Sequence, residues 1–285
     1  MLNIHDEHAP LEKVIVGLGT PYQRDKEKVA AEMAEFPFLP NTSMREEILA
    51  LTYPTEDLLT REFADYVATL KKHGVDVLRA DPEAAYSFDY TCPRDIGFVI
   101  GDRFFMSNMA VESRVDEIRT IEHHLSEIPA DKIIRFSKDA VIEGGDVIPL
   151  EEKTVLVGIN QRTNRAGFES LRDLLTTDGY CVLPVEHSQL HLDCCLNPLG
   201  LGHLLIHPDS LTGNCDETWE VLKRFPWITV DDLEREHLAT NVLSIRPDVI
   251  IARDHEYCAA ANRQLVQTGY QLEEISFDGT PAVGG

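Results

Sequence analysis

Residues 140–159 read AVIEGGDVIPLEEKTVLVGI. Two β-branched runs, 140–150 and 154–159, flank the polar pair Glu151-Glu152, which is the pattern of a hairpin. Residues 166–177 then carry apolar side chains at helical spacing, and 180–184 form a third short apolar run. The order is strand, tight turn, strand, helix, strand.

The same order recurs on either side. Upstream it runs 97–100, the turn Gly101-Asp102, 103–107, a helical stretch 111–126 and a strand 132–136. Downstream it runs 192–199, a turn around Gly200 and Gly202, 203–207, helix 217–225 and strand 227–230. A fourth cycle runs 241–245, the turn Arg246-Pro247-Asp248, 249–252, helix 257–268 and strand 270–276. Each cycle takes roughly 45 to 50 residues, the period of propellers and repeat arrays. In a doubly wound sheet a strand feeds its helix directly. Here a hairpin precedes every helix, so the chain reads as an α/β propeller. Before residue 97 stands a partial fifth cycle. It has a strand at 14–18, a helical region from about Lys26, a helix over 55–72 whose apolar face is Leu58, Leu59, Phe63, Tyr66, Val67 and Leu70, and a strand at 75–79. It lacks the first hairpin strand. A closed ring takes that strand from the other chain end, and it would begin at Thr280-Pro-Ala-Val-Gly-Gly285. Residues 1–285 are therefore expected to form a single α/β-propeller domain short of its closing strand.

Composition narrows the chemistry. A net charge of −23 argues against nucleic acid as a partner, because phosphate contacts need clustered Lys and Arg. No run approaches the roughly 20 apolar residues of a membrane helix. The first residues, MLNIHDE, lack the basic and apolar regions of a secretion signal, so the expected location is the cytoplasm. Six cysteines without a CxxC pair are too sparse for a disulfide scaffold and read as reduced thiols. A homodimer is the default expectation for a soluble protein that assembles.

Three cycles carry polar residues at corresponding places, at or just before the first hairpin strand. They are Cys92-Pro93-Arg94-Asp95, Glu143-Gly144-Gly145-Asp146 and His191-Leu192-Asp193. Each has a plain reading: a local Arg94–Asp95 salt bridge, a glycine turn, a hydrogen-bonded pair with His191 and Asp193 on one strand face. At repeat-equivalent positions they converge on one axis, and such a group is costly to bury unless it binds something.

These segments resemble the guanidino-modifying superfamily of arginine deiminases, dimethylarginine hydrolases and amidinotransferases. Pro93-Arg94-Asp95 followed by Phe98-Val99-Ile100-Gly101-Asp102 looks like the first substrate-aspartate segment of that family, close to the amidinotransferases in wording. Glu143-Gly144-Gly145-Asp146 looks like the deiminase acid segment, where glycine amidinotransferases carry Asp. Gln161-Arg162-Thr163-Asn164 resembles the Arg-Thr turn, and His191-Leu192-Asp193 the catalytic His-x-Asp. The resemblance implies a five-bladed α/β propeller (pentein-like) and thiol chemistry on a guanidinium such as that of arginine, with no cofactor and no metal. By the same resemblance Asp95 and Asp193 grip the cation, and His191 protonates the leaving amine. Glu143 orients that amine or binds substrate, and Arg162 meets a substrate carboxylate or forms an ion pair. A deiminase or amidinohydrolase is the first expectation, an amidinotransferase the second, and a non-catalytic guanidino-binding protein the third.

The nucleophile of such enzymes follows a Gly-rich segment near the C-terminus, and Gly284-Gly285 resembles that segment. The expectation is a cysteine beyond Gly285. Of the internal cysteines, Cys195 alone would share a strand face with His191, while Cys194 would point away. Two metal readings compete: His191 and Asp193 with His207 or His255 as a facial triad, or His187 with His191 for zinc. The segments 36–43 and 86–90 are candidate substrate-reading loops, the first equally a packed connector.

Overall fold

The computed structural model describes residues 2–19, 27, 46–48, 50, 52–84, 91–151, 153–211 and 213–283. The candidate loops 36–43 and 86–90, most of the helical region after Lys26, and Gly284-Gly285 lie outside the described residues. Two compact units are present. The larger comprises residues 1–11, 94–110 and 129–274, and the smaller comprises 12–93, 111–128 and 275–285.

The larger unit is built on one repeated sheet. Strands β3 (Gly97–Ile100), β4 (Arg103–Met106) and β5 (Ile133–Arg135) form the first, with β3 and β4 antiparallel and β4 and β5 parallel. The second is β6 (Val147–Pro149), β7 (Thr154–Ile159) and β8 (Cys181–Glu186), paired in the same way. The third is β9 (Leu196–Leu199), β10 (His203–Ile206) and β11 (Trp227–Thr229), again an antiparallel hairpin with a parallel third strand. In the fourth, β12 (Leu243–Arg246) pairs antiparallel with β13 (Val249–Arg253), and β14 (Gln271–Ile275) lies beyond β13. The parallel third strand requires a crossover, and the helices Arg165–Thr176, Asp216–Leu222 and Ala259–Gln267 supply it in the last three.

Each central strand is buried on both faces. In β10, Leu204 and Ile206 pack into a core with Ile148 and Leu156 of the preceding sheet. Leu205, pointing the other way, packs with Ile250 of the following sheet and with Leu265 of its helix. One strand thus stitches two cores, which is why these runs are continuously apolar rather than alternating.

The smaller unit pairs β1 (Lys13–Val16) with β2 (Asp76–Arg79) in parallel. The helix Glu56–Lys72 begins where the Thr55 hydroxyl accepts from the Leu58 N–H, and it buries Leu59, Phe63 and Leu70 as its periodicity predicts. It also buries Glu62, whose carboxylate accepts from the backbone N–H groups of Asp278, Gly279 and Thr280 and from the Thr280 hydroxyl.

Several spans differ from expectation. Residues 111–126 are a 3-10 helix, Glu112–Ile121, followed by one α turn, Glu122–Leu125. The buried Arg114–Glu117 ion pair, three residues apart, suits the eclipsed 3-10 spacing. The first hairpin strands are shorter than predicted, because 144–146 and 192–195 turn before the strand ladder begins. Thr280–Val283 is a 3-10 turn rather than the start of a strand, its first N–H taken by Glu62 rather than by a neighbouring strand.

Phe105 of β4 is fully buried and stacks on Phe98 (centroids 5.2 Å apart) and Phe136 (6.1 Å). Phe105→Ala is expected to cost about 3–5 kcal/mol through lost burial and the cavity left behind. A shift of the urea midpoint with unchanged slope measures it; a loss under about 1 kcal/mol would show that the site collapses freely.

Candidate active site

Three short turns, each placed just before a first hairpin strand, carry the polar residues. Asp95 lies in the helical turn Pro93–Ile96, ahead of β3. Glu143 caps the 3-10 turn Gly144–Asp146, ahead of β6. His191 caps the 3-10 turn Leu192–Cys194, ahead of β9. The turns explain why the side chains converge: a strand would send alternate residues to opposite faces, whereas a tight turn gathers its cap residue to one end of the hairpin.

Asp95, Glu143 and His191 are all buried and come together within the larger unit. His191 Nε2 lies 2.8 Å from Glu143 Oε2, a short hydrogen bond, and Nδ1 lies 3.6 Å from Asp95 Oδ1, an ionic contact. Gly145 makes this approach feasible, since a Cβ there would stand 2.7 Å from His191 Cγ and 2.8 Å from Asp95 Oδ1.

Glu143 is fully exploited as an acceptor. Oε1 receives the Ala110 N–H at 2.8 Å, and Arg162 Nη1 stands 3.1 Å from Oε2. Arg162 is buried with its guanidinium on Glu143. Thr163 adds a hydroxyl to the Glu143 N–H, so the Arg-Thr turn serves the glutamate through both residues.

Asp193 is half-buried, with Oδ2 2.8 Å from Arg94 Nε. Arg94 does not pair locally with Asp95 as its neighbour. It forks onto Glu7 (3.1 Å from each Nη) and donates to the Val147 carbonyl. The shared strand face expected for His191 and Asp193 is corrected too, since both belong to a turn. Arg94, Glu7 and Asp146 are the polar neighbours that sequence reasoning left without a role. The Arg-Asp and Gly-Gly-Asp wording was the available signal for two of them; Glu7 had none.

Charge follows from this packing. Burial alone would lower the proton affinity of His191, but Asp95, the Glu143 hydrogen bond and Asp146 outweigh it and lift its pKa to about 10. The imidazole is therefore protonated at neutral pH, poised as a proton donor. Burial raises the Asp193 carboxyl to about 6, with Arg94 and His191 pulling it back down. Burial pushes Arg94 toward losing its proton, but Glu7 and Asp193 more than restore the charge.

None of the five cysteines of the larger unit belongs to the group formed by Asp95, Glu143 and His191. Cys195 is fully buried in the core with its thiol on the Leu192 carbonyl, and burial and Asp193 push its pKa up, which corrects its candidacy as a nucleophile. Cys194 donates to Asp193 Oδ1 (3.7 Å) and is raised well above a free thiol by burial. Cys258 is buried, and Cys181 and Cys215 are exposed. Among the described residues, the His/Cys/Asp/Glu group close enough to share an ion is Asp95, Glu143 and His191. Its imidazole nitrogens face carboxylates, the arrangement of a held proton rather than of a ligated metal. The competing metal sets are not assembled: His207 bonds the Ser210 hydroxyl, His255 stacks on His237, and His187 pairs with Asp146.

The family model of N,N dimethylarginine dimethylhydrolase, eukaryotic, matches residues 45–278. The chain belongs to this family. Within the guanidino-modifying enzymes to which the family belongs, sequence relatives and structural neighbours agree. YkgA, an uncharacterized protein of Bacillus subtilis, is 33% identical over 228 residues, covering 77% of this chain and 74% of its own. An arginine deiminase of Mycolicibacterium gilvum is 34% identical over 225 residues, covering 64% of this chain and 54% of its own. The chain thus spans about half of that deiminase. In structure, the inosamine-phosphate amidinotransferase StrB1 of Streptomyces griseus superposes with a TM-score of 0.79 at 22% identity, over 100% of this chain and 94% of its own.

Because folding raises the His191 pKa, its contribution to stability is complete below the unfolded value near 6.5 and is lost as pH rises through about 10. Glu143→Gln removes one charge from the trio and is expected to lower the His191 midpoint by about one pH unit or more. Imidazole resonances followed from about pH 6 to about pH 11, across the midpoint of about 10, test this; an unmoved midpoint would show that Glu143 does not hold the proton.

Proposed function

We propose that this protein modifies the guanidino group of arginine or a related compound, and that it does so by hydrolysis. The observation that carries the reading is a buried imidazole held between two carboxylates, Asp95 and Glu143, with the half-buried Asp193 alongside. A guanidinium is a planar cation that donates through several N–H bonds, and carboxylates recognise it by paired charge-assisted hydrogen bonds. Asp95 and Asp193 are the receptors for that cation in this reading. Protonated His191 gives its proton to the departing nitrogen, and Glu143, clamped by Ala110 and Arg162, keeps the imidazole in register.

The covalent step needs a thiolate at the central carbon, which becomes an amidino-cysteine while the C–N bond to the leaving amine breaks. Water then attacks that carbon, the sulfur leaves, and a ureido product forms. Cys194 and Cys195, the cysteines adjoining Asp193, carry thiols that their surroundings keep protonated. The thiolate is accordingly assigned to neither.

Two features favour hydrolysis: Glu143 stands where glycine amidinotransferases carry Asp, and a relative 34% identical is an arginine deiminase. Transfer to an acceptor amine is the second reading, favoured by the Pro93-Arg94-Asp95 wording. The five-bladed α/β propeller belongs to the same proposal. Four three-stranded sheets of like order and the β1–β2 pair support five repeats among the described residues. A cytoplasmic setting is proposed with it, supported by six free cysteines. Among the described residues no helix is long and apolar enough to cross a membrane.

The test is incubation of the full-length protein with arginine and N-methylated arginines, with and without acceptor amines. A ureido product without acceptor supports hydrolysis; a new guanidino compound formed only with acceptor supports transfer. Saturable arginine binding without turnover would reduce the protein to a guanidino-binding role. Asp95→Asn is expected to lower kcat/KM about a hundredfold or more, since one charged receptor is lost in a buried site. Binding of the cation should weaken as pH falls below about 6, where Asp193 of the free protein takes up a proton.

A further inference from the structure

Behind the trio lies a second buried pair that the reaction as outlined does not use. Asp146, fully buried, closes the 3-10 turn that Glu143 opens. Its Oδ1 accepts the N–H of Leu192 at 2.9 Å, and Leu192 follows His191 directly. The same oxygen stands 3.0 Å from His187 Nε2, whose ring is buried as well. Asp146 Oδ2 and His187 Nδ1 have no hydrogen-bond partner among the described residues. A third residue joins them. Asn160 sits 3.1 Å from His187 Nε2, donates to the Gln189 and Leu190 carbonyls, and accepts from the Arg162 and Thr163 N–H groups.

We propose that Asp146 is the positioning residue for His191, with His187 and Asn160 completing the mount. The reasoning is geometric. Asp146 and Asn160 grip the chain on both sides of His191, the first at Leu192 and the second at Gln189 and Leu190. Asp146 belongs to the turn that carries Glu143, and Asn160 holds the turn that carries Arg162. The imidazole and the two groups that serve Glu143 are thereby fixed in one frame. Room for the mount is made by Gly158, where a Cβ would lie 2.5 Å from Asp146 Oδ1 and 2.6 Å from His187 Nε2.

Electrostatics favour the same role. A buried carboxylate oxygen without a donor is costly. The charge of Asp146 also acts on His191, being among the groups that raise the proton affinity of that imidazole. The charged groups around His191 are Asp95 from the first turn, Glu143 and Asp146 from the second, and Asp193 from its own turn, with Arg162 behind Glu143. Asp146, like Glu143, is fully buried, and the proposed reaction gives it no part in holding a substrate. This assignment deepens the proposed function and rests on it for the chemistry His191 performs, although its test does not need turnover.

The experiment follows the His191 ring N–H by NMR in the whole protein, the signal being identified by its loss in His191→Gln. Asp146→Asn keeps an acceptor for the Leu192 N–H and removes the charge. It should retain a hydrogen-bonded, downfield N–H while lowering the His191 midpoint by about one pH unit. Asp146→Ala frees the turn as well and should abolish the downfield signal. Should the alanine variant fail to fold, the asparagine variant decides alone. A signal and midpoint both unchanged in Asp146→Asn, with only a lower melting temperature, would overturn the assignment and leave Asp146 a structural residue. Failure of the functional reading looks different: no guanidino turnover or binding, while His191 still responds to Asp146 as stated.

Discussion

The site depends on burying the Glu143 carboxylate. An ionised group removed from water costs several kcal/mol unless charged partners and hydrogen bonds replace its hydration. Glu143 obtains them from three directions: the Ala110 N–H, the Arg162 guanidinium and the His191 imidazole. Each partner comes from a different stretch of chain, so the carboxylate is satisfied only when those stretches are correctly juxtaposed. Removing one partner leaves the others facing an uncompensated charge, which makes the cluster demanding as well as specific.

The repeated sheet provides that juxtaposition. Hairpins of the same order, buried on both faces, hold the turns ahead of β3, β6 and β9 in equivalent places. A carboxylate, a second carboxylate and an imidazole are delivered by a common device. The glycines at 144 and 145 let the second turn approach the others; a Cβ at Gly144 would lie 2.0 Å from the Arg94 carbonyl oxygen. Packing and chemistry meet at that point. The strands that build the shared cores start where the polar turns end, so the position of the charged trio is set by the cores beneath it.

The balance of charge is correspondingly local. The chain carries a formal charge of −23, yet each buried acid of the trio is matched by a neighbouring cation, and Arg94 is shared between Glu7 and Asp193.

The amino-acid sequence by itself determined the cycle of hairpin, helix and strand, because β-branched runs, turn residues and amphipathic spacing are local signals. It also determined that Asp95, Glu143 and His191 occupy matching places in successive cycles, and the resemblance of their motifs pointed to guanidino chemistry. Only the tertiary structure decided which atoms meet. Arg162 turned inward to Glu143, Arg94 passed over its neighbour Asp95 for Asp193 and Glu7, and Cys195 sank into the core. Strand alternation was a poor guide at 191–195, where the chain is a 3-10 turn. The physical reason is common to all of these: ion pairs and burial are settled by partners far away in the chain, and local sequence carries no record of which distant charge will be nearest.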